Sequence, residues 1–294
     1  MDETKQLILT QVRNLNVYKR GDERAPHKPL LLLIALAQVA QLQERLTSFD
    51  QVEKPLVQLL RDFGPPRKSF HPEYPFWWLQ SDKLWEVSSV HPLIRRAGST
   101  LPLRSELIKK KVSGGFPEPV YKVFSNDRKF LERVVKILLD DNFPESIHQD
   151  ILDAIGFSLP VYNRRRNPQF RADVIRAYEH RCAICGYDIK VGPSDLALEA
   201  AHIKWHQSGG PDCIQNGLAL CAIHHKALDR GAIGISGDFT ILISSEVHGV
   251  SGIMNWFVSV KGQKIRSPTR SEWLPSTEYI EWHATQVFKA PARD

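Results

Sequence analysis

Two chelate-spaced pairs constrain this chain more than any other feature: Cys182-Ala183-Ile184-Cys185 and Cys221-Ala222-Ile223-His224. Two intervening residues let a tight turn aim both side chains at one ion. Folding that joins the pairs then completes the tetrahedral thiolate and imidazole set that suits a structural Zn2+. All four cysteines lie between Arg181 and Gly231; Cys213 stands outside the spacing and reads as an ordinary thiol. The residues between the pairs must therefore fold as one small unit around the metal.

Inside that unit, the run Leu198-Glu199-Ala200-Ala201-His202-Ile203 reads as a strand ending near a histidine. Asn216 leads into a second apolar run, Gly217–Leu220, and His225 and Asp229 follow four apart on an expected helix. That spacing projects both side chains from one helix face, where they can grip a divalent ion. Cutting a phosphodiester needs an activated water, a cation against the developing charge, and a group that orients the base. A neutral His202 can take the proton, and Asn216 can orient either the His202 ring or its loop.

The segment resembles HNH endonucleases of the ββα-metal class, with His202, Asn216 and His225 on the three letters of the motif. The resemblance implies His202 as general base, His225 as a ligand of a catalytic Mg2+, Mn2+ or Co2+, and Asn216 as the supporting asparagine. One position departs. Many members carry Asp or His immediately before the base, and here that residue is Ala201. Glu199, two residues earlier on the same strand face, is the candidate replacement, and Asp229 the candidate that completes the set.

A length of 294 residues suggests two domains, and we place the boundary near residue 160. The hydrophobic share of 42% and charged share of 24% are those of a globular protein with real cores. The formal charge of +6 favours a polyanionic partner. The polar start MDETKQLILT lacks the pattern of a signal peptide, and the run Leu30–Ala37 is too short to span a bilayer. A soluble cytoplasmic protein without a membrane partner is the expectation.

Helical spacing covers Glu3–Val17, Leu30 to about Leu46, Gln51–Asp62, Phe130–Leu139 and Ile147–Ile155. His27 and Lys28 precede Pro29 at a helix N-terminus, a place that favours an anion. Tyr74–Leu79 and Leu84–Val87 read as a hairpin turning at Ser81–Lys83, with Tyr74-Pro75 at an exposed edge. Arg95, Arg96, Arg104 and Lys109–Lys111 form a basic stretch running into a Gly114-Gly115-Phe116 turn, suited to phosphate contacts. A basic hinge is expected at Arg164–Pro168, then a helix over Phe170–His180 and a hairpin around Gly237-Asp238. A closing helix covers Tyr279–Phe288, in which His283 has no catalytic role. The fold class is α+β: a mainly helical DNA-reading domain with a small hairpin, then a zinc-stabilised ββα-metal domain over 161–294.

The runs RAPHKPLLLLIAL and YPFWWLQSDKLWEV, with the GGF turn, resemble the DNA sulfur-binding domain of McrA-type restriction enzymes. The likeness covers roughly the first 140 residues, within an expected reading domain of 1–160. It implies recognition of a phosphorothioate, in which sulfur replaces a non-bridging phosphate oxygen. Sulfur is larger, softer and less tightly hydrated than oxygen, so an apolar cavity beside cations can prefer it. Carried across by motif, His27, Tyr74 and Pro75 line the cavity and Lys28 approaches the phosphate. Arg104 is the candidate for a further arginine, and Arg24 joins the DNA-binding set.

Together the two resemblances imply a type IV restriction endonuclease that binds phosphorothioate-modified double-stranded DNA and cuts nearby. The alternatives are an HNH enzyme whose first domain reads methylated cytosine or plain sequence, and a DNA-binding protein with an inactive HNH fold. One nuclease centre per chain admits a homodimer or two separate nicks.

Overall fold

The run Leu30–Ala37 has no polar face, so its helix is stable only at the centre of a domain. The computed structural model describes residues 2–17, 22–96, 98–159 and 168–294. These fall into two compact units, Met1–Arg20 with Ala25–Pro160 and Gly21–Arg24 with Val161–Asp294. The hinge expected at Arg164–Pro168 lies outside the described residues up to Asn167. No helix among the described residues is long and apolar enough to cross a membrane.

In the first unit, α1 (Glu3–Arg13) is capped by Asp2 and stops short of the expected Val17. Helix α2 (His27–Ala40) is the buried centre. Strand β1 (Leu46–Ser48) leads into α3 (Phe49–Phe63), where Ser48 and Gln51 form a capping box. Then come α4 (Glu73–Trp78), β2 (Glu86–Ser88), α5 (Arg104–Lys109), β3 (Ser113–Gly115), α6 (Glu118–Asn126), α7 (Arg128–Asn142) and α8 (His148–Ala154). Helices α3, α4, α6 and α7 all pack on α2. A line of edge-on rings, Phe49, Phe76, Trp85, Phe116 and Phe124, ties α3, α4 and the small sheet to α6.

Two local expectations are corrected. Tyr74–Trp78 is helical, not the first arm of a hairpin. Pro75 is the third residue of α4, where backbone N–H groups have no intrahelical partner to lose. Strand β2 exists, but its partner is β3, in an antiparallel sheet of order β1-β3-β2. Gly114 and Gly115 therefore lie in the central strand and form no turn. A Cβ on Gly115 would sit 2.0 Å from the Arg45 carbonyl oxygen, and one on Gly114 would sit 2.7 Å from Trp85 Nε1. Glycine is required there by close packing.

The second unit opens with α9 (Pro168–Ala177), then two short strands, β4 (Lys190–Val191) and β5 (Ser194–Asp195). Strands β6 (Leu198–His202) and β7 (Gly217–Cys221) pair antiparallel, with His202 opposite Gly217 and Leu198 opposite Cys221. Helix α10 (Ala222–Asp229) follows directly, completing a ββα unit. The hairpin expected around Gly237-Asp238 is present as β8 (Ile233–Ile235) and β9 (Ile241–Ile243). Helices α11 (Gly252–Trp256) and α12 (Thr277–Gln286) close the unit.

Candidate functional site

The chelate pairs converge. Cys182, Cys185, Cys221 and His224 place their ligand atoms within 4.8 Å of one another. The separations are 3.6 Å for Cys182 Sγ to His224 Nδ1, 3.3 Å for Cys221 Sγ to His224 Nδ1, and 4.0 Å between the sulfurs of Cys185 and Cys221. A tetrahedron with Zn–S bonds of ~2.3 Å and a Zn–N bond of ~2.1 Å has edges of about 3.5–3.8 Å, so the donors fit a zinc-type ion. Cys221 is the N-cap of α10, which sets it one turn from His224. His224 donates its Nε2–H to the Trp256 carbonyl at 2.8 Å, leaving Nδ1 turned toward the sulfurs.

The cluster lies where α10 leaves β7, and His225 follows its ligand-type neighbour His224 directly in the helix. His225, 5% exposed, lies with Nδ1 at 2.5 Å from Glu199 Oε2 and Nε2 at 3.2 Å from Asp229 Oδ2. Burial lowers the His225 pKa, but Asp229 and Glu199 outweigh it and raise the value to about 9. Two carboxylates and an imidazole thus share one pocket of negative charge, a donor set suited to a divalent cation. The three residues expected as metal ligands are brought together here.

His202 ends β6 within the electrostatic reach of Asp229. Its ring stacks on Phe170 of α9, with centroids 4.1 Å apart and planes 14° from parallel, and its Nε2 lies 2.9 Å from Asp212 Oδ1. Burial holds its pKa below the ordinary value, although Asp212 pulls the other way. The ring is therefore neutral near pH 7. Asn216 is fully buried and does not touch that ring. Its Oδ1 accepts from the Lys204 N–H at 2.8 Å, and its Nδ2 donates to the carbonyls of Lys204 and Pro211, both at 3.0 Å. Of the two roles open to Asn216 in the sequence, the geometry is that of a loop clamp. His206 also approaches Asp212, at 3.7 Å, and with His202 the three could hold an ion.

Arg24 is corrected. It packs within the second unit, with its guanidinium 3.9 Å from the centre of the Trp205 ring and its backbone N–H bonded to Gln286 at 3.0 Å. Beside it Asp22 takes the ammonium of Lys204 at 2.6 Å and, through its carbonyl, the indole N–H of Trp282 at 3.0 Å. Burial drives the Arg24 pKa down to about 9 against the attraction of Asp229. His283 is likewise buried, donating to the Leu228 carbonyl at 3.0 Å.

In the first unit, α4 presents Tyr74 at 38% exposure. His71 stacks on its ring at 4.7 Å, and Arg96 reaches its hydroxyl at 3.0 Å with the guanidinium 5.3 Å from the ring centre. Glu73, almost wholly buried, anchors both neighbours: Arg96 at 2.8 Å and His71 at 3.2 Å. His27 is close enough to His71 and Arg67 to feel both. Burial foremost, then those two groups, pushes its pKa down to about 4. Pro75 is buried beside Tyr74. Arg104 pairs with Glu53 and stays half exposed. Lys28, expected to approach the phosphate, is turned inward by α2: its ammonium binds Asp82 at 2.5 Å and the Asn16 carbonyl at 2.6 Å. His71 and Glu73 carry no signal in the sequence, although His71 lies three residues before Tyr74, and Arg96 stands there only as one member of the basic stretch. Asp212 carries no motif at all.

These features define a chain with two candidate sites: a cation-framed aromatic surface, and a ββα unit beside a cluster that could hold a zinc-type ion. Residues 5–159, just over half of the chain, match the family described as ScoMcrA-like DNA sulfur-binding domain, and the chain belongs to that family. Residues 182–236 match the HNH endonuclease family. Among solved structures, the chain is similar to the sulfur binding domain of ScoMcrA complexed with phosphorothioated DNA (22% identity, 50% of this chain and 93% of that one, TM-score 0.44). It is also similar to the sulfur binding domain of SprMcrA complexed with phosphorothioated DNA (21%, 53% and 97%, 0.45). A third likeness is to the modification dependent TagI restriction endonuclease (27%, 45% and 41%, 0.30). A comparison with curated proteins found no match. A DNA sulfur-binding domain joined to an HNH nuclease domain is the make-up of a modification-dependent restriction endonuclease.

Proposed function

We propose that the first unit docks on phosphorothioate-modified double-stranded DNA and that the second hydrolyses a phosphodiester nearby. The observation that carries the nuclease half is the gathering of Glu199, His225 and Asp229 beside a neutral His202. Family membership and the framed Tyr74 face support the sulfur half.

Glu199, His225 and Asp229 would hold the catalytic Mg2+, Mn2+ or Co2+, and Cys182, Cys185, Cys221 and His224 a structural Zn2+. When bound, the catalytic ion supplies neutralisation of the charge that builds on the phosphate. His202 accepts the proton of the attacking water, and its lowered pKa keeps it unprotonated for that task. Asn216 keeps the loop after His202 in place. The missing acidic residue at Ala201 leaves room for an inactive fold as the rival reading. Pairing of Glu199 with His225 argues against it.

At the reading site, Tyr74 and Pro75 give the apolar contact that a poorly hydrated sulfur prefers, while Arg96 and Arg104 supply positive charge near the phosphate. His27 stays neutral there. Cutting both strands takes two copies of the chain or two successive nicks.

Gel shift of matched duplexes with and without one phosphorothioate tests the reading half. Tighter binding of the modified duplex is expected, with the preference lost in Tyr74→Ala; equal affinity would sink sulfur recognition. His202→Ala is expected to lower cleavage by roughly 100-fold or more while sparing DNA binding, and normal cutting would overturn the assignment.

A further inference from the structure

Asp212 has no part in the metal centres assigned above, yet its carboxylate meets the one side chain that must exchange a proton. Its Oδ1 lies 2.9 Å from His202 Nε2. Carboxylates accept hydrogen bonds, and a neutral imidazole carries a single ring proton. In this pair that proton belongs on Nε2, so Nδ1 keeps its lone pair. Phe170 covers one face of the ring at 4.1 Å, which restricts rotation about the ring axis.

The position of Asp212 is itself fixed. Asn216 donates to the carbonyl of Pro211, the residue immediately before it, and to that of Lys204 near the start of the loop. The motif asparagine thus sets the loop, the loop sets Asp212, and Asp212 sets the ring. We propose that Asp212 is a positioning residue that holds His202 as the Nε2–H tautomer with Nδ1 as proton acceptor. The proposal rests on the reading of His202 as general base.

The same three groups allow an opposite use. His206 Nδ1 is 3.7 Å from Asp212 Oδ1, and an ion shared by His202, His206 and Asp212 would take Nε2 as its ligand. The ring proton would then move to Nδ1, and the base would be silenced. The tautomer of His202 separates the two uses.

Long-range 1H–15N spectra of the full chain labelled in histidine, recorded near pH ~8, read that tautomer directly, with His202→Ala assigning the signals. The expected result is protonated Nε2 and bare Nδ1, shifting toward a mixture in Asp212→Ala. Steady-state cleavage should then show kcat down about 10- to 100-fold, part of the ~10²–10⁴ a general base contributes, with KM within about twofold. Asp212→Asn keeps the loop's shape without the charge and should fall between; His206→Ala should leave tautomer and kcat unchanged. A protonated Nδ1 in the unaltered chain, or an unchanged tautomer and kcat in both Asp212 variants, would overturn the proposal. If instead His202→Ala cuts normally, the general-base reading is what fails, and the tautomer still judges the role of Asp212.

Discussion

Glu199 Oε2 lies 2.5 Å from His225 Nδ1, a contact that joins strand β6 to helix α10 across the ββα unit. It places a carboxylate beside the motif histidine although the residue before His202 is an alanine. His225 is drawn toward the charged form by its two acidic neighbours. A divalent cation held by Glu199, His225 and Asp229 would take the place of that proton.

Removing the contact should therefore weaken the metal site and leave DNA binding intact. Glu199→Gln and Glu199→Ala are expected to raise the Mn2+ or Mg2+ concentration needed for half-maximal cleavage by about 10- to 100-fold. Gel shifts should be unaffected. A metal titration with wild-type midpoint in both variants would exclude Glu199 from the ligand set.

Asn216 makes three hydrogen bonds while wholly buried. In Asn216→Ala the Lys204 N–H and the carbonyls of Lys204 and Pro211 lose their partners. Each uncompensated group costs about 1–3 kcal/mol, so with partial relaxation a loss of roughly 2–4 kcal/mol is expected in urea unfolding. Asn216→Asp keeps the acceptor but sets a buried carboxylate oxygen against the two carbonyls, and should cost at least as much.

The Cys182, Cys185, Cys221 and His224 knot should bring about one zinc ion per chain through purification, measured by elemental analysis. Cys185→Ala should lower that content and the melting temperature of the unit together. Since the cluster lies where α10 leaves β7, chelating the ion should also abolish cleavage. Added Mg2+ should not restore it. A zinc-free preparation that melts and cuts normally would remove the knot from the fold's supports.

His27 ties stability to pH. Its folded pKa, pushed down to about 4, lies below the ordinary value of about 6.5, so the unfolded chain binds the proton more readily. The stabilisation from keeping His27 neutral is present above about pH 6.5 and is lost as pH falls toward about 4. Between pH ~7 and ~5 the chain should lose about 2 kcal/mol from this group, and His27→Gln should flatten that slope in denaturant titrations followed by tryptophan fluorescence.

Chelate spacing and the order His202, Asn216, His225 were legible in the chain because zinc and hydrolysis each demand particular residue types at short, fixed separations. The buried helix at Leu30–Ala37 was legible for a similar reason: eight apolar neighbours leave a helix no exposed face. The aromatic run Tyr74–Leu79 reads as a strand in the sequence because six residues fit either period, whereas in the fold its proline sits harmlessly in a first helical turn. Gly114-Gly115 has the composition of a turn, but the pair is a strand segment crowded by Trp85 and the Arg45 carbonyl.

Local chemistry, then, was written in the order of the residues: which side chains can bind soft metal, and which can take a proton. Only the folded chain decided which partner each of them meets. Asp212 reaches His202 through a pinned loop, Arg96 reaches Tyr74 across 22 positions, and Lys28 turns inward to Asp82. Those pairings depend on where elements pack, and charge and burial act through space, whatever the separation along the sequence.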